Sequence, residues 1–168
     1  MYSFSVRLLH KILAVLIIVQ LLFGFAFAWG VLDYKWVITL HKSFGLFILL
    51  VTILLIIVRL FSHKHKYIKP LPLWQKILAR TVHLGIYISA LGMALSGLIG
   101  SMLMGYPWKV FFIAPLPQFF KVNPELGSQI FSYHYTFASI LVILVAGHII
   151  AALYHQFIVK DKLLSRMK

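Results

Sequence analysis

Four long apolar runs make up most of the chain, and polar residues gather between them. The runs cover roughly residues 8–30, 37–61, 80–104 and 130–157. Each run is long enough to cross a bilayer core as a helix, which takes about 20 residues. Helices also satisfy their own backbone polar groups in lipid. The pattern therefore predicts an all-α integral membrane four-helix bundle, formed as a single domain over residues 1–168.

Basic residues predict the orientation of this bundle. The formal net charge is +13, and the chain has sixteen Lys and Arg residues. Twelve of them lie on the side that holds both termini and the 59–80 connection, and the other side holds four: Lys35, Lys42, Lys109 and Lys121. This asymmetry is the positive-inside bias, so we expect both termini to be cytoplasmic. The charge indicates topology and anionic lipid, and does not indicate a nucleic-acid partner.

The first apolar run could be mistaken for a signal peptide. Arg7 and Lys11 precede it, and Ala26–Ala28 resembles a cleavage site. However, the run from Ile12 to Ala28 exceeds the usual signal core of about 7–15 residues. We predict that it is retained as the first span. The chain has no cysteine, which excludes disulfides and cysteine-ligated metal clusters.

Histidines provide the candidate chemistry, and they fall at two depths. His134 and His148 are fourteen residues apart, so they share one helix face at about 21 Å along the axis, within a bilayer core of about 30 Å. His41 begins the second run at the depth of His134, and His10 and His83 share the depth of His148. We call His41 and His134 the outer layer, and His10, His83 and His148 the inner layer. Ionisable residues inside a membrane are costly and usually functional.

Matched pairs of imidazoles on facing helices are suited to holding haem. The outer layer offers a single pair, whereas depth alone leaves both His10 and His83 as partners for His148. A lone histidine at a helix end is more often an interfacial residue, but matched depths in four helices favour ligation. His63 and His65 lie in a basic connection and are interpreted as solvated. Two interpretations of Gly45 and Gly147 stay open: room for a macrocycle, or ordinary helix packing.

Short segments along the whole chain resemble one family. They are Arg7–His10, Leu40–Gly45, Val82–Tyr87, Gly147–Phe157, Lys160–Asp161 and Leu164–Met167. In this order, they resemble the bacterial-type cytochrome b561 family of small di-haem membrane cytochromes, related to the cytochrome b subunits of nickel-iron hydrogenases. The resemblance implies an integral protein of the bacterial inner membrane with two haem b groups and ubiquinone.

The resemblance also implies a role for each site residue. It implies that His10 and His148 hold the inner haem iron, and that His41 and His134 hold the outer one. It further implies a quinone pocket on the cytoplasmic side, near His83 and His155. Arg80, one turn before His83, would suit that pocket or a haem propionate. Two positions depart from the family pattern. Lys11 stands where a tryptophan is common, and Gln156 stands where a second histidine is common.

The function implied by the resemblance is electron transfer between the periplasmic face and the ubiquinone pool. Some family members resemble a superoxide oxidase, an oxidoreductase that passes electrons from superoxide to ubiquinone. That activity benefits from positive charge near the outer haem, and Lys42 and Lys109, together with Lys121, are the candidates for steering the anion. This is the primary hypothesis.

Two other functions compete with it. In the first, the outer haem exchanges electrons with a periplasmic redox protein that docks on residues 105–128, a stretch that also has the composition of an interfacial aromatic belt. In the second, the chain is a structural membrane protein without a cofactor, which the two histidine layers disfavour.

Overall fold

Four long helices account for most of the computed structural model, which describes residues 3–31, 35–62 and 72–161. The helices are α1 (Phe4–Ala28), α2 (Lys35–Phe61), α3 (Leu73–Leu103) and α4 (Pro124–Tyr154). A π-helical turn, His155–Val159, continues α4. All four helices are long and apolar enough to cross a membrane. The predicted four-helix membrane bundle is confirmed.

All four helices begin before their apolar runs, and the difference is largest for α3 and α4. α3 begins at Leu73, after Pro72, and α4 begins at Pro124, after Asn123. The side chain of Asn123 accepts a hydrogen bond from the backbone N–H of Leu126 at 3.1 Å. Proline in the first turn and asparagine at the N-cap are the usual signals of a helix start. Hydropathy detects only the part of a helix at lipid depth, so these polar first turns lay outside the predicted spans.

The core of the bundle draws on all four helices. Its buried residues are Val6, Leu13, Ile17, Ile48, Val51, Leu55, Ala90, Met93 and Leu141. Large apolar side chains are exposed on the outside of every helix, among them Val15, Leu50, Leu84 and Ile143. An exposed apolar exterior of this extent is suited to lipid and not to water, so the helices contact the membrane.

Glycines on α3 allow α4 to approach closely. A β-carbon at Gly85 would lie 2.8 Å from the Leu144 side chain, and one at Gly92 would lie 2.6 Å from the Phe137 ring. At Gly97 the β-carbon would lie 2.9 Å from the ring of His134. Small residues at such contacts are typical of membrane helix pairs. The α3–α4 contact therefore sets the position of one outer-layer histidine.

The connection between α3 and α4 folds back over the outer end of α2. Strands β1 (Lys109–Val110) and β2 (Ala114–Pro115) pair antiparallel, with Lys109 opposite Pro115. We call residues 106–116 the outer hairpin. At its tip, Phe111 and Phe112 have left-handed φ angles of 45° and 65°. The sequence pattern predicted an aromatic stretch here but gave no sign of paired strands.

Two hydroxyl groups fasten the outer hairpin to the bundle. The indole Nε1 of Trp108 donates to Ser101 Oγ at 2.5 Å. Ser43 Oγ donates to the carbonyl of Thr39 at 2.7 Å and accepts the backbone N–H of Phe111 at 2.9 Å. Trp108 is buried, and the outer hairpin is therefore a fixed cap next to His41.

Candidate functional site

The outer layer forms a close pair of rings between α2 and α4. The ring centres of His41 and His134 are 6.2 Å apart, with an angle of 73° between the ring planes. Two metal–imidazole bonds of about 2 Å, with about 1.1 Å from each nitrogen to its ring centre, require a separation of about 6.2 Å. The spacing therefore leaves room for one metal ion between the two rings.

A backbone hydrogen bond orients His134. Its Nδ1 lies 2.7 Å from the carbonyl oxygen of Met93 on α3. Since a carbonyl can only accept, Nδ1 must carry the proton, and Nε2 keeps its lone pair for a metal. Hydrogen bonding of the second ring nitrogen to a carbonyl is the usual arrangement for a metal-bound histidine.

His41 is surrounded differently. Its Nδ1 is buried and has no hydrogen-bond partner among the described residues. A β-carbon at Gly24 would lie 3.2 Å from Cε1 of His41, so α1 passes close to this ring. One turn inward on α1, the amide nitrogen of Gln20 donates to the carbonyl of His41 at 2.6 Å. Gln20 is 2% exposed.

The inner layer brings three histidines together. The ring centres of His10 and His148 are 6.2 Å apart, with 62° between the planes. Those of His83 and His148 are 5.0 Å apart, which is too short for two metal–nitrogen bonds of about 2 Å each. Of the two partners that depth left open for His148, only His10 has the spacing of the outer pair.

His83 is oriented by its own helix. Its Nδ1 lies 2.5 Å from the carbonyl of Ala79, so this nitrogen also carries the proton. One turn further along α3, the hydroxyl of Tyr87 accepts a hydrogen bond from Arg59 on α2 at 3.0 Å. Arg80 is exposed, and it lies one turn before His83. Polar side chains from α2 and α3 therefore lie near the inner layer.

The remaining predicted quinone residue, His155, lies in the π-helical turn. Its Nδ1 is 2.7 Å from the carboxylate of Asp161, and both side chains are about seven-eighths buried. Its ring also packs against Tyr154. Lys160, between the histidine and the aspartate, has a left-handed φ of 54° that turns the chain back. His63 and His65 lie outside the described residues, so their interpretation as solvated stays a prediction.

Of the two lysines predicted to steer an anion, Lys42 contacts the outer hairpin and Lys109 is part of it. The Lys42 ammonium donates to the carbonyl of Pro107 at 3.1 Å. It also lies 5.7 Å from the ring centre of Tyr106 and 5.3 Å from that of Trp108, within cation–π range. Lys109 is exposed on β1. A fixed positive charge therefore lies directly beside His41.

Comparison with known proteins agrees with this geometry. A family model described as prokaryotic cytochrome b561 matches residues 1–168. The chain belongs to the prokaryotic cytochrome b561 family. Cytochrome b561 homolog 1 of Escherichia coli (strain K12) is 32% identical over 134 residues, which cover 76% of this chain and 72% of that protein.

Membership of the cytochrome b561 family gives the coarse function. The chain is a multi-pass bacterial membrane protein that binds b-type haem and transfers electrons. The residues present fit that group. Two histidine pairs have ring centres 6.2 Å apart, and at least one ring is oriented by a carbonyl so that Nε2 is free.

Several residues around the site were not predicted from the sequence: Gln20, Ser43, Arg59, Tyr87, Trp108 and Asp161. Gln20 could have been found from the sequence, because it is the single polar side chain in the apolar run from Ile12 to Ala28. Ser43, Arg59, Tyr87 and Trp108 depend on contacts between separate elements, and Asp161 depends on the turn that brings it back to His155. Hydropathy and spacing carry no information about such contacts.

Proposed function

We propose that the protein is a di-haem cytochrome b of the bacterial inner membrane, with both termini cytoplasmic. It moves electrons between the periplasmic face and ubiquinone, and its electron donor is superoxide. The observation that carries this proposal is the repeated 6.2 Å spacing of two histidine pairs. One histidine of each pair lies on α4, His134 in the outer pair and His148 in the inner pair. The two pairs therefore lie at different depths.

Each pair would hold one haem iron. His41 and His134 would hold the outer haem, and His10 and His148 would hold the inner one. When bound, haem would supply one-electron chemistry. The protein contributes burial, spacing and the hydrogen bonds that orient each ring.

The polar groups near the inner layer suit a quinone and the protons that its reduction consumes. His83 and His155 each contain an imidazole, whose two ring nitrogens can accept and donate a proton. Asp161 orients His155 through Nδ1. Arg80 is exposed and positively charged, and it offers a donor to a quinone carbonyl. We assign these three residues, Arg80, His83 and His155, to the quinone pocket.

Positive charge near the outer layer favours superoxide as the electron donor. Lys42 is fixed beside His41, and Lys109 and Lys121 add exposed charges on the same side. Glu125 is the acidic residue that the structure describes on this side. Fixed cations in an apolar surrounding raise the local concentration of a small anion and accelerate its arrival.

A kinetic experiment tests this function. Purified protein loaded with ubiquinone is exposed to enzymatically generated superoxide, and haem reduction is followed optically together with a haem count. We expect two haems per chain and rapid reduction whose rate falls with added salt. Lys42→Gln should slow the reduction and weaken its salt dependence, whereas Lys11→Gln, on the opposite face, should leave both unchanged.

A second function is favoured by the exposed tip of the outer hairpin. Phe112 and Ile113 are 52% and 86% exposed, which would suit docking of a periplasmic redox protein. Two haems that superoxide fails to reduce would support this alternative and exclude the oxidase. Protein without haem after expression with adequate haem supply would exclude both.

A further inference from the structure

Two buried polar atoms, one on His41 and one on a side chain that bonds the His41 backbone, lack hydrogen-bond partners in the part of the chain that the structure describes. They are Nδ1 of His41 and Oε1 of Gln20. The first must be a donor if Nε2 of His41 binds a metal, and the second can only accept. A buried polar group without a hydrogen bond is costly, and more so at lipid depth, where water cannot substitute.

The surrounding geometry places the two groups on the same side of α2. The amide nitrogen of Gln20 is already 2.6 Å from the carbonyl oxygen of His41. A β-carbon at Gly24, one turn further along α1, would lie 3.8 Å from Nδ1 of His41. The α1 face that carries Gln20 and Gly24 is therefore the face that Nδ1 approaches.

Space for the amide is provided by a second glycine. A β-carbon at Gly45 would lie 3.4 Å from Nε2 of Gln20. The sequence left two interpretations of Gly45 open: room for a macrocycle, or ordinary helix packing. The contact with Gln20, a side chain of the neighbouring helix α1, is one of helix packing. Gly45 and Gly24 together let a long polar side chain lie flat between α1 and α2.

Elimination supports the same pairing. Among the described residues, the other buried side-chain oxygen without a partner is Oγ1 of Thr52. Thr52 is eleven residues from His41 on the same helix, about 16 Å along the axis. It cannot reach His41. The corresponding nitrogen of His134 already has the carbonyl of Met93.

We infer that Gln20 is a positioning residue of the outer haem, and that its amide holds His41 at two points. The nitrogen of the amide donates to the backbone carbonyl of His41, and its oxygen accepts the Nδ1–H of the ring once a metal is bound at Nε2. This inference rests on the proposed function, since it requires a metal on Nε2 of His41. A hydrogen bond at Nδ1 increases the electron donation of the imidazole to the metal, so Gln20 sets the potential of one haem.

Redox titration of Gln20 variants tests the inference. Gln20→Met keeps the volume but removes the acceptor, so we expect the midpoint potential of the outer haem to rise while the inner one stays unchanged. Gln20→Glu keeps an acceptor oxygen, so its outer potential should be equal to or below that of the wild type. Thr52→Val, which removes another buried oxygen without a partner, should shift neither potential.

Haem content separates a failure of this inference from a failure of the proposed function. Two haems per chain with an unshifted outer potential in Gln20→Met would overturn the role of Gln20 alone. A rise of equal size in Gln20→Glu would also overturn it, because mere loosening of α1 against α2 would act in the same direction in both variants. A wild-type protein without two haems would overturn the proposed function instead.

The wild type offers a check if the variants fail to fold. In redox-difference infrared spectra of protein labelled with ¹³C-glutamine, a glutamine carbonyl band should respond when the outer haem changes its redox state. A spectrum without any glutamine carbonyl response would overturn the inference.

Discussion

The outer and inner histidine layers share one ring spacing but differ in what surrounds them. In the outer layer, a glycine lies behind each ring, at Gly24 and Gly97, and the outer hairpin covers the end of α2. In the inner layer, a third histidine packs against His148, and a β-carbon at Gly147 would meet open space. The two histidine pairs thus have the same spacing, but the outer pair is enclosed and the inner pair is left accessible.

This difference teaches how one helix can serve two tasks. α4 supplies one histidine to each layer, so the contrast comes from α1, α2, α3 and the connections. Under the proposed function, the outer layer receives electrons from a small anion, for which a fixed charge such as Lys42 is sufficient and a closed surrounding limits side reactions with water. The inner layer would receive the larger quinone, for which an exposed polar group such as Arg80 is suited.

Among the changes that test this difference between the layers, removal of an outer-layer histidine should have the largest effect on haem content. His134→Ala should lose one haem and retain the other, because the two pairs are separate sites. A pyridine haemochrome count per chain measures this. His83→Ala is the matched control and should keep both haems, since His83 is too close to His148 for an iron between them. Two haems per chain in His134→Ala would contradict the assignment.

Crowding the outer layer should have an intermediate effect. In Gly97→Ala, the new β-carbon would lie 2.9 Å from two ring atoms of His134. Overpacking of this kind costs about 1–3 kcal/mol, so we expect weaker retention of the outer haem. Haem content after dilution in detergent measures it. In Gly147→Ala the new β-carbon meets nothing within 4 Å, so this variant should retain haem like the wild type. An equal loss of haem in both variants would contradict the difference between the two layers.

Loosening the outer hairpin should have the smallest effect. Ser43→Ala removes the hydroxyl that accepts the N–H of Phe111, at a cost of about 1 kcal/mol. Chymotrypsin should then cleave near Phe112 roughly five-fold faster if cleavage follows local opening. Ser139→Ala removes a hydroxyl that bonds only within α4 and should leave the rate unchanged. Equal cleavage rates in Ser43→Ala and the wild type would show that the hairpin is held by other contacts.

Hydropathy and depth were sufficient for the helices and for the outer pair, whereas the inner pair of His10 and His148 was expected only from the family resemblance. Helix rise converts residue number into depth, and depth alone matched His41 to His134. In the inner layer, depth left His10 and His83 equivalent, because the direction of each side chain around its helix depends on packing. The 6.2 Å and 5.0 Å spacings distinguish them.

Other features were out of reach for similar reasons. The outer hairpin has strands of two residues, which are too short to show an alternating pattern. Ser43 and Gln20 each have a plain local identity, but their partners are 68 and 21 residues away. Such contacts depend on how α1, α2 and the hairpin come together, and no local periodicity encodes them.

The histidine pairs also bear on how the protein is assembled. Each pair takes one ring from the first two helices, at His10 or His41, and the other from α4. α1 packs on α2, and α3 packs on α4 through its glycines. Two helical hairpins could therefore insert into the membrane separately, and cofactors bound across them would clamp the halves together. Haem would then add to the core that all four helices share, and its supply would strengthen the joining of the two halves.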